Sequence, residues 1–166
     1  IKSSNALNLE GLTKNQFIRG DATNKAAAVL LTPVTGIKLY VDGVDGGLFY
    51  AVTGASASTY SDDGGTFCGT VFIPTGGDGS AAWLREFSGA INCRWFGSSS
   101  SASEAVNTPS IQAALDSAEN VALAVKSVYL EAGEYTVDTL YIPLGVYFYG
   151  DGAIETTARQ STALVQ

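Results

Sequence analysis

Short apolar runs separated by Asp-Gly and Gly-Gly pairs recur along most of this sequence, and they limit the fold more than any other feature. Between residues 37 and 87 the runs are IKLYV, GLFYAV, GTVFI and AAWLREF. The separators DGVDGG, SDDGG and TGGDGS contain the pairs that tight hairpin turns with positive φ favour. Runs of five to seven residues have the length of single β-strands. The pattern therefore predicts a small antiparallel β domain of four or five strands.

An amphipathic helix is predicted downstream of a serine run at residues 98–101. Thr108 is expected to cap this helix and Pro109 to occupy its first position. A helix of about three turns is not stable alone, so its apolar face must lie on a sheet or on the open end of a β structure. The apolar residues follow the i, i+3, i+4, i+7 rule and are Ile111, Ala114, Leu115 and Ala118.

Three further strand-like runs follow the helix, joined by turns of one to three residues that contain Gly or Pro. They cover residues 126–133, 134–143 and 145–152. Short strands that turn this often are typical of a solenoid, in which each coil buries its inward residues on the next and the first coil needs a cap. The helix is therefore interpreted as the cap over the first coil of a right-handed parallel β-helix.

The composition excludes several classes of function. The chain has no histidine, which removes Ser-His-Asp and Cys-His catalytic arrangements and the usual catalytic zinc sites from it. Its net charge is −7, with only nine Lys and Arg residues, so no nucleic-acid partner is expected. The longest apolar runs fall short of the ~20 residues of a membrane span, so no membrane partner is expected. Because the sequence starts at Ile1 without Met, we expect a processed or excised piece.

Cys68 and Cys93 are the only cysteines, and they lie 25 residues apart without a C-x-x-C pattern. This spacing gives no support to a metal site or to a thioredoxin-like motif. Two buried free thiols and one disulfide are both compatible with the sequence.

Acidic residues in the turns are candidates for catalysis or metal binding. Asp62, Asp63 and Asp78 could form the carboxyl pair of glycoside chemistry, but each lies in a Gly-flanked turn, so a structural role is favoured. The loop Asp42–Gly47 lacks the alternating acids and distal Glu of a calcium loop. The stretch GGDGS has no following Lys and no βαβ context, which excludes a phosphate-binding loop. We therefore predict no catalytic, cofactor-binding or metal-binding residue in this chain.

Five aromatic residues in predicted strands could stack on sugar rings. Alternating aromatics in strands more often form a core or a subunit interface, and that interpretation is favoured. The five residues are Trp83, Trp95, Tyr141, Tyr147 and Tyr149.

Four segments occur in an order that resembles the entry into the pectate-lyase-like β-helix of bacteriophage tailspikes. They are INCRWFG, TPSIQAALDSA, SVYLEAGEYTV and LYIPLGVYFYGDG. The block from GLFYAV to AAWLREF is similar to the small β domain ahead of the β-helix in that family, and LEGLTKNQFIRGDA resembles a connecting motif of trimeric tail fibres. The chain departs from the family in one loop, where SSSSASEAVNT, with Glu104 as its one acid, replaces an acidic Gly-containing stretch.

The resemblance implies a mainly β fold, in which a small antiparallel β domain is followed by the helix-capped start of a right-handed parallel β-helix. Residues 1–30 carry little apolar surface, so association of three copies is expected to supply the burial that one copy lacks. The implied organisation has four parts. A fibre-like trimeric connecting segment covers residues 1–34 and an antiparallel neck domain covers 35–97. A linker with the capping helix covers 98–120, and the first coils of the β-helix cover 121–166.

The resemblance also implies a function. The chain is expected to be the N-terminal anchor and neck part of a homotrimeric tailspike in the virion, linking another tail or baseplate protein to a downstream β-helix that binds and degrades bacterial surface polysaccharide. Active sites in that family lie on later coils, so this chain is expected not to be an enzyme, although its longer parent resembles a polysaccharide depolymerase. The alternative is the front part of a secreted bacterial polysaccharide lyase or glycoside hydrolase with a carbohydrate-binding β domain.

Overall fold

The computed structural model describes residues 18–120 and 123–151, which form two β-sheets and one long helix. Parts of the predicted connecting segment (1–17) and of the predicted β-helix (121–122 and 152–166) lie outside the described residues. The strands are β1 Ile18–Ala22, β2 Lys38–Val41, β3 Gly47–Thr53, β4 Val71–Phe72, β5 Ala81–Arg85, β6 Ile91–Asn92, β7 Ser127–Leu130 and β8 Tyr147–Gly150. The α-helices are α1 Lys25–Ala28 and α2 Glu104–Glu119, and 3-10 helices cover Gly54–Thr59 and Cys93–Phe96.

The first sheet has five strands in the order β1-β2-β3-β5-β4. Strands β2, β3, β5 and β4 pair antiparallel, which confirms the prediction from the turn-separated runs. Strand β1 instead joins β2 in parallel. The described part of the predicted connecting segment, residues 18–34, therefore shares the first sheet through β1 and its core through α1.

Alternation along the strands gives the first sheet one deeply buried face. Leu39 on β2 lies opposite Phe49 on β3, and Ala51 lies opposite Trp83 on β5. The three large side chains among these are fully buried. A smaller apolar cluster covers part of the other face and contains Ala57, Val71, Ala82 and Leu84, with Val52, Tyr60, Ile73 and Leu123 at its margin.

The second sheet is parallel, with the order β6-β7-β8. Val128 on β7 pairs with Ile91 on β6 and with Phe148 on β8, and all three belong to the core that the apolar face of α2 shares. Strands β7 and β8 pair at a constant offset of 20 residues, from Ser127 with Tyr147 onward. The mainly β fold class is thus confirmed, while the right-handed β-helix remains a prediction because the second sheet has three parallel strands within the described residues.

The connection between β7 and β8 differs from the prediction. A strand over residues 134–143 is wrong: Tyr135, Val137 and Leu140 pack inward, but the segment forms no ladder within the described residues. Alternation determines which side chains are buried, whereas a strand also needs a hydrogen-bonded neighbour. The run INCRWFG also departs from a simple strand, because two residues of β6 lead directly into a 3-10 helix.

Helix α2 begins at Glu104, five residues before its expected first position at Pro109. Ser103 is the N-cap and Pro109 lies inside the helix, so the predicted cap at Thr108 is wrong. The Thr108 hydroxyl instead accepts a hydrogen bond from Asp138 N at 2.9 Å. The predicted apolar face is confirmed, because all four of its residues are buried. Within the described ranges, no helix has both the length and the apolar character that crossing a bilayer requires.

The early start of α2 is explained by a buried amide. The Asn107 side chain accepts a hydrogen bond from Ser99 N and donates one to Ala102 O, both at 3.0 Å. These bonds hold the serine-rich loop against the first helical turn and satisfy a polar group that has no access to water.

Candidate functional site: the junction between the two sheets

A buried arginine makes the first connection between the two sheets. Arg85 is the last residue of β5, and the two-residue alternation that buries Trp83 places Arg85 on the same face. Its guanidinium donates to three backbone carbonyls, from Nε to Gly69 at 2.7 Å, from Nη1 to Gly46 at 2.6 Å and from Nη2 to Asp45 at 2.5 Å. These hydrogen bonds therefore connect β5 to the β2–β3 turn and to the loop that precedes β4.

The same guanidinium contacts two aromatic rings. Its Cζ lies 4.6 Å from the ring centroid of Phe49 on β3 and 4.4 Å from that of Trp95, which follows β6. Attraction between a cation and an aromatic face is strongest when both are desolvated. Burial lowers the pKa of Arg85 to about 10, so the side chain remains charged at neutral pH. One cation thus joins a residue of the first sheet to a residue beside the second.

A partly buried carboxylate makes the second connection. Asp63 lies in the SDDGG turn, where its Oδ1 accepts hydrogen bonds from the N–H groups of Thr70 at 2.9 Å and Val71 at 3.0 Å. Its Oδ2 accepts from the Thr70 hydroxyl and, at 2.7 Å, from the hydroxyl of Ser117 on α2. Burial raises the pKa of Asp63, and these hydrogen bonds oppose the rise. Helix α2 is thereby tied to the first sheet.

Close backbone contacts complete the junction. Gly69 N donates to Trp95 O at 2.9 Å. Gly97 has φ of 97°, and a Cβ there would overlap the Phe67 ring. Both the conformation and the close approach require glycine at this position. We call the set of Phe49, Arg85, Trp95, Asp63 and Ser117, with these backbone contacts, the junction.

The loop Asp42–Gly47 is closed by side-chain and backbone donors. Its carbonyls at Asp45 and Gly46 accept from the buried guanidinium, and Asp45 Oδ2 accepts from Cys68 N at 2.8 Å. Asp42 Oδ1 accepts from the following N–H at 2.8 Å. One carboxylate oxygen of Asp42, one of Asp45 and the carbonyls of Asp45 and Gly46 therefore each accept a hydrogen bond within the protein. In the part of the chain that the structure describes, no three His, Cys, Asp or Glu side chains are placed to hold a metal ion.

The other turn carboxylates also bind local donors. Asp62 Oδ1 accepts from Lys25 Nζ at 2.7 Å and from two N–H groups of its own turn at 3.2 Å. Asp78, in the stretch GGDGS, accepts from Ser80 N at 2.9 Å, and its hydrogen bonds to Ser80 lower the pKa of Asp78. Asp62, Asp63 and Asp78 each have their own donors, which is the behaviour of turn-stabilising residues.

The five aromatic candidates divide into buried and exposed residues. Trp83 is a core residue whose Nε1 donates to Leu31 O at 3.0 Å. Trp95 is half-buried and also packs edge-on against Phe87, with ring centroids 5.0 Å apart. The remaining three, Tyr141, Tyr147 and Tyr149, are exposed.

A shallow, open cleft of about 300 Å³ lies between the junction and the outward face of the second sheet. The rings of Tyr129 and Tyr149, which pair across β7 and β8, are 5.6 Å apart in it. The Tyr129 hydroxyl donates to Asp151, which raises the pKa of Tyr129 to about 12. The cleft offers aromatic surface and hydrogen-bonding groups, and it is lined by Ser88, Ala90, Asn92, Trp95, Tyr129, Tyr149 and Asp151.

Both cysteines are buried free thiols, which resolves the two alternatives left by the sequence. Burial raises the pKa of Cys68 to about 12, with a further contribution from the nearby Asp45 carboxylate. Burial alone raises the pKa of Cys93 to about 12.

Arg85 lies in the run AAWLREF and Ser117 in the segment TPSIQAALDSA, but neither residue is among the site candidates that the sequence offers. The signal available for Arg85 is a charged residue at an inward position of an alternating strand, where an unpaired charge is rare. Ser117 and Ser110 are buried polar residues seven positions apart beside the apolar stripe of α2. Such polar positions within a buried pattern indicate a hydrogen-bonded contact but do not identify the partner.

Comparison with known proteins finds similarity at the level of structure. No protein-family model matches the chain, and no curated protein matches it significantly in sequence. Full-length tailspike protein 2 of an Escherichia coli O157:H7 bacteriophage matches with a TM-score of 0.60 and 24% identity, over 91% of this chain and 18% of that protein. The enzymatically active domain of bacteriophage CBA120 tailspike protein 2 matches with a TM-score of 0.60 and 25% identity, over 80% of this chain and 18% of that domain.

These matches show that the chain has a tailspike-related fold, which confirms the resemblance at that level. The chain spans 18% of the length of each of these neighbours. The similarity covers most of this chain and a minor part of a much larger molecule.

Proposed function

We propose that this chain is the neck of a homotrimeric bacteriophage tailspike in the phage tail. It holds a downstream receptor-binding β-helix in a fixed orientation relative to the part of the spike that attaches to the virion. The observation that carries this proposal is the junction, in which a buried cation and a partly buried carboxylate join the first sheet to the second sheet and its helix.

The junction suits a part that transmits orientation. Its bonds connect elements distant in sequence, since Ser117 is 54 residues from Asp63 and Gly46 is 39 residues from Arg85. Buried polar groups with all partners in place rigidify a contact, because moving either side leaves a desolvated group unsatisfied. A neck built this way turns with the β-helix that follows it.

The structural neighbours support the location of this part within a spike. A counterpart of 80% of this chain occurs in a protein named as the enzymatically active domain of a tailspike. We therefore propose that the second sheet begins the β-helix that carries the active part in the longer parent, and that the N-terminal side contacts another tail or baseplate protein.

The proposal assigns no chemistry to this chain itself. The turn carboxylates have local hydrogen-bond donors, and the two thiols are buried and protonated at neutral pH. Polysaccharide binding and cleavage are assigned to later coils of the parent. Incubating the purified chain with bacterial capsule or O-antigen polysaccharide is expected to release no reducing ends and no unsaturated sugars, and release of either would contradict this assignment.

The homotrimer is tested by the mass in solution. Size-exclusion chromatography with light scattering, run over a tenfold dilution, is expected to give three times the chain mass of 17.2 kDa. A mass of one chain throughout the dilution would refute the trimer and would favour the front part of a secreted carbohydrate-active enzyme instead.

A further inference from the structure

The segment between β7 and β8 is attached to the molecule by side chains of α2 rather than by a ladder. It covers residues 134–143, and among the described strands none pairs with it. We call this segment the strap. Apart from the turn at its end, the backbone of the strap makes three hydrogen bonds to other described residues. All three go to two side chains of α2.

The side-chain amide of Gln112 takes the place of a neighbouring strand. Its Oε1 accepts a hydrogen bond from Tyr141 N at 2.8 Å, and its Nε2 donates to Tyr141 O at 2.9 Å. Two residues of an antiparallel sheet exchange both bonds in the same way. Nε2 also donates to Asp116 Oδ1 at 2.7 Å, one helical turn further along α2. Because an ionised carboxylate only accepts, this bond determines which end of the amide is the donor.

Thr108 makes the third bond, one turn before Gln112 on the same side of α2. Its hydroxyl accepts from Asp138 N at 2.9 Å. All three bonds to the strap are exposed to solvent. A single hydrogen bond adds little net stability, and a segment without a ladder has few bonds to break. We call Thr108 and Gln112 the latch.

The strap covers one side of the core that α2 shares with the second sheet. Its inward side chains, Tyr135, Val137 and Leu140, are half-buried, whereas Ile91 and Val128 of the sheet are fully buried in the same core. No member of the junction lies in the strap. Moving the strap therefore breaks none of the bonds that hold the two sheets together.

We propose that the strap opens and closes over this core as one unit, and that the latch on α2 holds it closed. The inference goes beyond the proposed function and does not depend on the homotrimer. Few buried apolar contacts and solvent-exposed hydrogen bonds are the features of segments that open locally. Opening releases the three inward side chains of the strap, while β7 and β8 stay paired on either side of it.

Hydrogen exchange measured by NMR tests whether the strap is one unit, because each latch residue protects a different amide. Gln112→Ala removes the bonds to Tyr141 and leaves the bond between Thr108 and Asp138 in place. Alanine is the best helix former, so this variant does not weaken α2 itself. The amide of Asp138 is expected to exchange about tenfold faster in this variant. Thr108→Val is expected to accelerate the amide of Tyr141 in the same way.

Two controls limit the effect to the strap. The amide of Tyr147 donates to Lys126 O at 2.7 Å beside the pairing of β7 with β8. Its exchange rate is expected to be unchanged in both latch variants. Glu119→Ala removes an exposed side chain of α2 that is not part of the latch, and it is expected to change none of these rates.

Limited proteolysis provides a second measurement. Chymotrypsin accepts large apolar and aromatic side chains in its specificity pocket, and the strap offers it Tyr135, Leu140 and Tyr141. Cleavage of a folded chain follows the population of the opened form. Mass spectrometry of the fragments is expected to show cleavage within residues 134–143 about tenfold faster in Gln112→Ala than in the wild type or in Glu119→Ala.

Three results would overturn the inference. If the amide of Asp138 keeps its wild-type exchange rate in Gln112→Ala, the bonds of the latch break separately. If the amide of Tyr147 accelerates together with that of Asp138, or if Gln112→Ala loses its folded circular dichroism spectrum, the opening includes the sheet. Equal cleavage of the strap in all variants would show that the latch does not hold it. A monomeric wild type in light scattering would refute the proposed homotrimer and leave the strap unaffected.

Discussion

Arg85 has three donor nitrogens bound to carbonyls of two different loops, which lysine cannot reproduce from a single nitrogen. We expect Arg85→Lys to lower the free energy of unfolding by about 3 kcal/mol, because at least one buried carbonyl loses a charged donor. Urea unfolding followed by tryptophan fluorescence measures this. Lys38→Met is the control, since Lys38 pairs with exposed Glu86, and its cost is expected to be under about 1 kcal/mol. Equal losses would contradict the role given to Arg85.

The two thiols provide a prediction of pH dependence. The pKa of each is about 12 in the folded chain against a usual value of 9.0, so the unfolded chain loses these protons first. The contribution of the two thiols to the free energy of unfolding is therefore fully present below pH 9 and is expected to fall as the pH rises from 9 toward 12. At pH 8 the two thiols of the native chain are expected to react with a coloured aromatic disulfide on the order of a hundredfold more slowly than the thiols of the urea-unfolded chain. Rapid reaction of both native thiols would show that they are accessible.

At the level of elements, α2 contains an internal proline that costs stability. Pro109 has no N–H to donate to the carbonyl four residues earlier, and its ring crowds the preceding turn. We expect Pro109→Ala to raise the free energy of unfolding by about 2 kcal/mol. Glu119→Ala, at an exposed position of the last turn, is the control and is expected to change it by under about 0.5 kcal/mol. A loss of stability in Pro109→Ala would mean that the packing of α2 needs the conformation that the proline imposes.

The elements that could be predicted are those determined by neighbours in sequence. The hairpin strands follow from Asp-Gly and Gly-Gly turns, and the buried face of α2 follows from helical spacing. The start of α2 depends on the bonds from Asn107 to the preceding loop, which local capping rules do not contain. Residues 134–138 alternate between exposed and half-buried side chains, but the segment 134–143 has no pairing partner in the described chain, and sequence alone does not report a missing partner.

At the scale of the whole molecule, the junction predicts that the two sheets unfold together. Arg85 contacts Trp95 beside the second sheet, and Asp63 accepts a hydrogen bond from Ser117 on α2. Opening one sheet therefore leaves polar groups on the other without partners. Fluorescence of the two tryptophans and far-UV circular dichroism are therefore expected to give one coincident urea transition. Two separated transitions would show that the sheets are independent units. Ser117→Ala is expected to lower the free energy of unfolding by about 1 kcal/mol, and its fluorescence and circular dichroism transitions are expected to remain coincident.

The junction itself could be predicted only in part. The turn role of Asp63 follows from SDDGG, but its bond to Ser117 spans 54 residues and depends on how α2 docks on the first sheet. Arg85 and Trp95 are ten residues apart in sequence, yet their contact depends on the 3-10 turn that replaces a strand after β6. Contacts of this kind arise from tertiary packing, for which a single sequence carries no periodic signal.

Residues 91–97 belong to both halves of the molecule, because β6 pairs with β7 while Trp95 contacts Arg85 and Gly97 lies against Phe67. This has a consequence for the construction of chimeras. A cut between residues 86 and 90 separates the Arg85 guanidinium from the Trp95 ring, and a cut at residue 98 separates β6 from its partner strand β7. Chimeras that keep both contacts take residues 18–151 from one donor.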